Sequence, residues 1–230
     1  MPNVLITGAN RGLGLEFTRQ YLADGWRVFA TCRNPGDAAE LHALNDRYGE
    51  FLSVHQLAVD MSRQIDDLKT EIGNEPLDLL INNAGVFGPR GTKLGNLDPA
   101  AWRHVFEVNA IAPIKVAEAF ASNLAAKKGI IASVSSKMGS IELNARSDEY
   151  IYRSSKAALN AGHRSLAMEL REQGITCAVF HPGWVRTDMG GAGADIDETE
   201  SVSGMRAVIA GLNIDQTGQF WNYDGERLPW

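Results

Sequence analysis

Tyr152 and Lys156 stand four residues apart in the stretch EYIYRSSKAALN, and in a helix that spacing makes them neighbours on one face. A free phenol has a pKa of about 10, too high to exchange protons readily near neutral pH. A nearby ammonium favours the phenolate, and a fall of about 2 to 3 pH units corresponds to roughly 3 to 4 kcal/mol of differential stabilisation. The pair is therefore a candidate proton donor with its own charge partner. Tyr150 has only Ser154 one turn on and is rotated by about 200° around the helix, so it cannot share the role. Ser154 and Ser155 have no evident histidine partner and are discounted as nucleophiles.

Three further groups complete a possible site. Ser135 and Ser136 end the apolar run GIIASVSS, where a hydroxyl can orient a carbonyl oxygen and stabilise charge developing on it. Asn109 precedes Pro113 by four residues in a segment of helical pattern. Proline has no N–H, so the Asn109 carbonyl loses its helical partner and must find water or another donor. The loop TGANRGLG sets Gly8, Asn10, Arg11, Gly12, Leu13 and Gly14 between a first strand and a first helix. Its glycines allow a tight turn and close approach to a pyrophosphate, while the helix start supplies free N–H groups. The acid that would mark an NAD preference about 20 residues later is replaced by Arg33, and Asp37 stands too far along. Arg11 and Arg33 together suit a 2′-phosphate, which favours NADP(H) over NAD(H).

The elements that must hold these groups alternate along the chain. Strands are predicted at NVLITG, RVFATCR, FLSVHQLAVD, LDLLINNAG, GIIASVSS, ITCAVFHPG and GQFWNYDG. Helices are predicted after the glycine loop as far as Gly25, at Ala38 to Arg47, near Ser62 to Ile72, and at Tyr152 to Glu172, with one long or two joined over 98–127. Apolar strands alternating with helices imply an α/β fold, a doubly wound parallel sheet covered on both faces. No linker or repeat divides the chain, so 1–230 reads as one domain, with a mobile segment over the site within 186–210, flexible-looking at 189–201.

Composition narrows the class. With 44% apolar and 22% charged residues the chain reads as a soluble globular protein. A net charge of -6 and the lack of any basic run argue against nucleic acid. No leader pattern or apolar run approaching a membrane span is seen, which points to the cytoplasm and away from the membrane. Cys32 and Cys177 read as separate buried thiols, and the five histidines lack ligand spacing, so no metal is expected.

In order along the chain, TGANRGLG, Val59–Asp60, NNAG at 82–85, Val108–Asn109, the serine pair and YRSSK at 152–156 resemble the short-chain dehydrogenase/reductases over nearly the whole chain. The segments HPGWVRTDMGG and YDGERLPW are most similar to the branch containing bacterial C-factor and the sniffer-type carbonyl reductases. The resemblance implies a single Rossmann-like domain with about seven strands in the order 3-2-1-4-5-6-7. It implies hydride transfer between NADP(H) and a small carbonyl or alcohol substrate, with Tyr152 as acid/base.

By the same resemblance Ser136, three residues before Gly139, is the working serine, and Asn109 holds a water that passes protons to Lys156. Lys156 also bonds the nicotinamide ribose. Asp60 and Met61 lie near the adenine, Asn83, Ala84 and Gly85 near the adenosine ribose, and Pro182, Gly183, Val185 and Thr187 near the nicotinamide carboxamide. Phe87, Ile141, Leu143, Trp184 and Met189 are pocket candidates that are equally core candidates. A homodimer or homotetramer through the helices of Asn109 and Tyr152 is implied as well. The alternative is a cofactor-binding signalling protein of C-factor type, which would need no intact Ser136–Tyr152–Lys156 set.

Overall fold

The computed structural model describes residues 1–230. Its strands are β1 (Asn3–Ile6), β2 (Arg27–Cys32), β3 (Leu52–Gln56), β4 (Leu79–Asn82), β5 (Ile130–Val134), β6 (Thr176–His181) and β7 (Gln219–Asn222). The main helices are α1 (Gly12–Ala23), α2 (Ala39–Tyr48), α3 (Ser62–Ile72), α4 (Pro99–Phe106), α5 (Ala112–Ala125), α6 (Tyr150–Leu170) and α7 (Glu198–Gly211). All strands run parallel in one sheet of order β3-β2-β1-β4-β5-β6-β7.

Strand side chains alternate between faces, so each strand feeds two cores. Val4, Ile6, Val28, Ala30, Ile81 and Phe180 pack on one face with Phe17 of α1 and Met205 of α7. Leu5, Phe29, Leu80, Ile131 and Cys177 pack on the other with Leu68 of α3, Phe120 of α5 and Leu170 of α6. Each fully buried Val, Leu, Ile, Phe or Met among them contributes about 1.5–3 kcal/mol. Strand order reverses between β1 and β4, which opens a crevice at the carboxyl ends of the strands. The glycine loop, NNAG, Ser136 and Pro182 all lie at those ends, after β1, β4, β5 and β6.

Several elements depart from the sequence reading, each for a local reason. The third strand stops at Gln56, and residues 57–61 leave the sheet with only Leu57 N–H still reaching the Cys32 carbonyl. The segment 98–127 is two helices joined through a π turn, Glu107–Ile111. Pro113 cannot donate to the carbonyl four residues back, and the widened turn absorbs that missing bond. Helix α6 begins at Tyr150 rather than Tyr152, because Glu149 turns the chain with φ 55 and is held by the loop after β4. The Glu149 N–H donates to the Thr92 carbonyl and its carboxylate accepts from Gly91 N–H (2.8 Å).

The segment 186–210 is not loop throughout, since α7 begins at Glu198. Asp197 caps it by accepting from Glu200 N–H, and Glu198 and Glu200 complement the helix dipole. No helix is long and apolar enough to cross a membrane. Cys32 and Cys177 are both buried and unpaired.

Candidate active site

Helix α6 buries one face, and Tyr152, Ser155, Lys156, Asn160 and His163 all lie on it. That face turns toward the end of β5. Lys156 Nζ donates to the Val134 carbonyl (2.9 Å) and lies 5.9 Å from the Tyr152 ring centre. Ser135 and Ser136 diverge as strand alternation requires. The Ser135 hydroxyl bonds Asn160 Oδ1 (2.7 Å), whereas Ser136 Oγ accepts from Met138 N–H (3.1 Å) and faces the Tyr152 phenol.

Within the chain alone, burial governs the charge states. Burial pushes the Tyr152 phenol up to about 12, and the Ser136 hydroxyl pulls only weakly the other way. Burial also brings the Lys156 ammonium down to about 8. The lysine is aimed at a main-chain carbonyl and is itself starved of solvent, so within the chain alone desolvation outweighs its pull on the phenol. The expected fall in the tyrosine pKa is therefore not a property of the protein by itself.

Asn109 is fully buried in the π turn. Its Oδ1 accepts from Val86 N–H (2.9 Å), and its Nδ2 donates to the Val86 carbonyl (2.8 Å) and Ser155 Oγ (3.0 Å). Ser155 in turn donates to the Tyr152 carbonyl (2.8 Å). Asn109 thus braces the strand end after β4 against the catalytic helix. A Cβ added at Gly85 would meet Asn109 Oδ1 at 3.3 Å and Lys156 Nζ at 3.6 Å, so these groups crowd one spot.

On the other side of the crevice, α1 starts at Gly12 with no side chain capping its first turn and no acid within it. Such a start has free N–H groups and positive potential suited to a phosphate. Gly14 has no room for a side chain, since a Cβ there would run into the Gly8 carbonyl and the Asn83 amide. Asn83 Nδ2 donates to the carbonyls of Thr7 and Gly8 (both 3.0 Å), so its amide braces the glycine loop. Thr7 completes that brace, its hydroxyl accepting from the N–H groups of Asn83 and Ala84 (3.0 and 3.1 Å). Thr7 escaped the sequence reading, although a hydroxyl before the first glycine of the loop was the available signal.

Arg33 is exposed just after β2, near the crevice end of that strand. Arg11 is exposed too, but pairs with Asp188 from the segment after β6. Asp60 lies before α3 with His104 Nδ1 3.9 Å away, and Met61 beside it is exposed. After β6, Pro182 and Gly183 lead to Val185, which bridges to Ile196, and the Thr187 methyl lies against Gly12. The uncapped helix start, the glycine cradle and the two arginines fit a dinucleotide phosphate. Ile141 and Trp184 are 80% and 53% exposed, and Leu143 and Met189 are also open to solvent. Phe87 instead stacks on Tyr152. No group of three His, Cys, Asp or Glu side chains comes together.

The family model for short chain dehydrogenases matches residues 2–196. The chain is a short-chain dehydrogenase. It is 43% identical over 164 residues to C-signal of Myxococcus xanthus, covering 70% of this chain and 97% of that protein. Among solved structures, it resembles the NADPH-bound carbonyl reductase from chicken fatty liver with TM-score 0.93 and 37% identity, covering 100% of this chain and 99% of that one. The carbonyl reductase Sniffer of D. melanogaster superposes with TM-score 0.91 at 32% identity over the whole of both chains. This short-chain dehydrogenase therefore shares its full architecture with carbonyl reductases.

Proposed function

We propose that this protein is an NADP(H)-dependent carbonyl reductase in which Tyr152 gives its proton to the carbonyl oxygen. The convergence of Tyr152, Ser136 and Lys156 beside an uncapped helix start carries the reading. The cofactor, when bound, supplies the hydride. Ser136 orients the carbonyl oxygen and donates to it as charge develops. Lys156 has donors beyond the one on Val134, and these serve the ribose and the proton path. Burial keeps the Tyr152 phenol protonated at neutral pH, and its proton goes to the carbonyl oxygen as that oxygen develops alkoxide character, a stronger base than the phenolate. Gly8, Gly12 and Gly14 let the diphosphate approach, while Arg11 and Arg33 take the 2′-phosphate. The likeness to the NADPH-bound chicken enzyme supports that preference. Asp60 and Met61 border the adenine, Ala84 and Gly85 the ribose, and Pro182, Gly183, Val185 and Thr187 the carboxamide.

Ile141, Leu143, Trp184 and Met189 give the mouth an apolar rim, which suits an apolar aldehyde, ketone or quinone. The segment 186–197 closes over it. Self-association through the outer faces of α5 and α6 belongs to the same reading, since Ile111 and Met168 stand exposed beside them, as does a cytoplasmic location.

The test is NADPH consumption with a panel of aldehydes, ketones and quinones, run beside NADH. Turnover with NADPH supports the reading. A second reading, signalling through a cofactor-bound state, draws on the 43% identity to C-signal. Tight NADPH binding with no carbonyl turned over would favour it instead.

A further inference from the structure

The loop after β4 reads VFGPR, and its conformation puts an aromatic ring and a cation on the catalytic tyrosine. Gly88 has φ 78, where a side chain is strained, and a Cβ there would meet Val105 Cγ2 at 2.6 Å. Pro89 then stiffens the turn, so Phe87 and Arg90 fold back over each other. The Phe87 ring stacks on the Tyr152 ring at 4.4 Å between centres and 19° between planes. The Arg90 guanidinium lies over the outer face of Phe87, 4.5 Å from its centre. Arg90 Nη2 also donates to the Met189 carbonyl (2.5 Å), in the segment that follows β6.

We infer that Phe87 and Arg90 are positioning residues, the first fixing the Tyr152 ring and the second tying the 186–197 segment to that ring. The loop is suited to this because it is anchored at its far side on the start of α6 by the Glu149 contacts with Gly91 and Thr92. The 186–197 segment has little other attachment at this point. Its internal bonds, such as Trp184 Nε1–H to the Gly190 carbonyl (2.9 Å), hold its own shape, and Arg11–Asp188 pins only the cofactor side. Arg90–Met189 pins the substrate side. A closed segment therefore keeps Arg90 on Phe87, and Phe87 on Tyr152. Stacked pairs and cation–aromatic contacts are individually weak, enough to bias a ring and a loop but not to lock them.

The inference rests on Tyr152 as the acid, and the experiment separates the two. Wild type, Phe87→Ala, Arg90→Ala and the double variant are compared, with NADPH affinity and thermal stability checked for each. Phe87→Leu retains volume without the stack, and Phe87→Tyr retains both. Arg90→Ala is expected to speed amide exchange in 186–197 and to raise KM. Phe87→Ala and Phe87→Leu are expected to lower kcat about tenfold with NADPH affinity kept, and Phe87→Tyr to restore it. The double variant should match Phe87→Ala in kcat, because Arg90 acts on the tyrosine through the ring, while its KM and amide exchange in 186–197 follow Arg90→Ala.

A readout free of turnover is the ultraviolet titration of the Tyr152 phenol, obtained by difference from Tyr152→Phe. The groups facing that phenol are Ser136 at the end of β5, Lys156 on its own helix, and Arg90 beyond Phe87. Removing Phe87 admits water, so the phenol should titrate at lower pH in Phe87→Ala. Additive losses, with exchange in 186–197 and the phenol titration unchanged, would overturn the inference. A wild type that reduces no carbonyl, but shows the exchange and titration shifts, would sink the proposed function and leave the coupling standing.

Discussion

Asn109 and Val86 exchange two hydrogen bonds, the Val86 N–H donating to Asn109 Oδ1 at 2.9 Å and Asn109 Nδ2 donating back to the Val86 carbonyl at 2.8 Å. The residue that the proline pattern singled out for its main chain also braces the site through its side chain. It fixes the strand end that carries Phe87 and reaches Ser155 on the catalytic helix.

Replacing Asn109 by Ala removes both side-chain partners of the half-buried Val86 main chain, and a group left buried without a partner costs about 1–3 kcal/mol at most. The expected outcome is a loss of roughly 2–5 kcal/mol in unfolding free energy, read by urea denaturation, with a fall in kcat as well. Asn109→Asp should recover only the bond from Val86 N–H.

Coenzyme choice is expected to depend on the two arginines unequally. Arg33 stands exposed just after β2, whereas Arg11 must first leave Asp188. Arg33→Ser should raise the Kd for NADPH by about 10- to 100-fold, the loss of one charge-assisted bond, and leave NADH nearly unaffected. Asp188→Asn should tighten NADPH modestly by freeing Arg11. Isothermal titration with both coenzymes checks each shift.

Gly14→Ala should abolish dinucleotide binding and destabilise the fold together, because the added carbon meets both Gly8 and Asn83. Calorimetric melting in the presence and absence of NADPH reads both effects. A variant that melts normally and still gains stability from NADPH would contradict the close packing of the loop.

Acid sensitivity has a defined source. His163 is buried, with Nε2 on the Ala178 carbonyl and Nδ1 unpartnered, and burial lowers its pKa to about 4. The folded pKa lies below the ordinary 6.5, so between those values the unfolded chain binds more protons. Stability therefore falls as pH drops from about 6.5 toward 4, by roughly 3 kcal/mol in all. His181, held down to about 3 by burial and by Lys137, extends the slope. Urea melts of His163→Gln across that range should show a shallower dependence on pH.

Much of this site was legible in the sequence where the relation is local or set by strand ends. The Tyr152–Lys156 pairing follows from helix pitch, and the Ser135–Ser136 divergence from strand alternation. The glycine loop, Asn83, Ser136 and Pro182 converge because a parallel sheet brings its carboxyl ends together. The π turn at Asn109 was foreshadowed by Pro113, though its side-chain bonds were not. Less legible were the contacts between segments far apart in the chain, such as Arg11 with Asp188, Arg90 with Met189, and Thr7 with NNAG. No short spacing encodes them. Also illegible was the burial that surrounds Tyr152 and Lys156, which within the chain alone raises the one pKa and lowers the other.

The most direct measurement is NADPH consumption by Tyr152→Phe beside NADPH binding by the same variant. With Tyr152 as the proton donor, carbonyl turnover should drop by at least about 100-fold while the Kd for NADPH stays within about twofold. An unaltered turnover rate in a folded, NADPH-binding Tyr152→Phe protein would contradict the role given to this tyrosine.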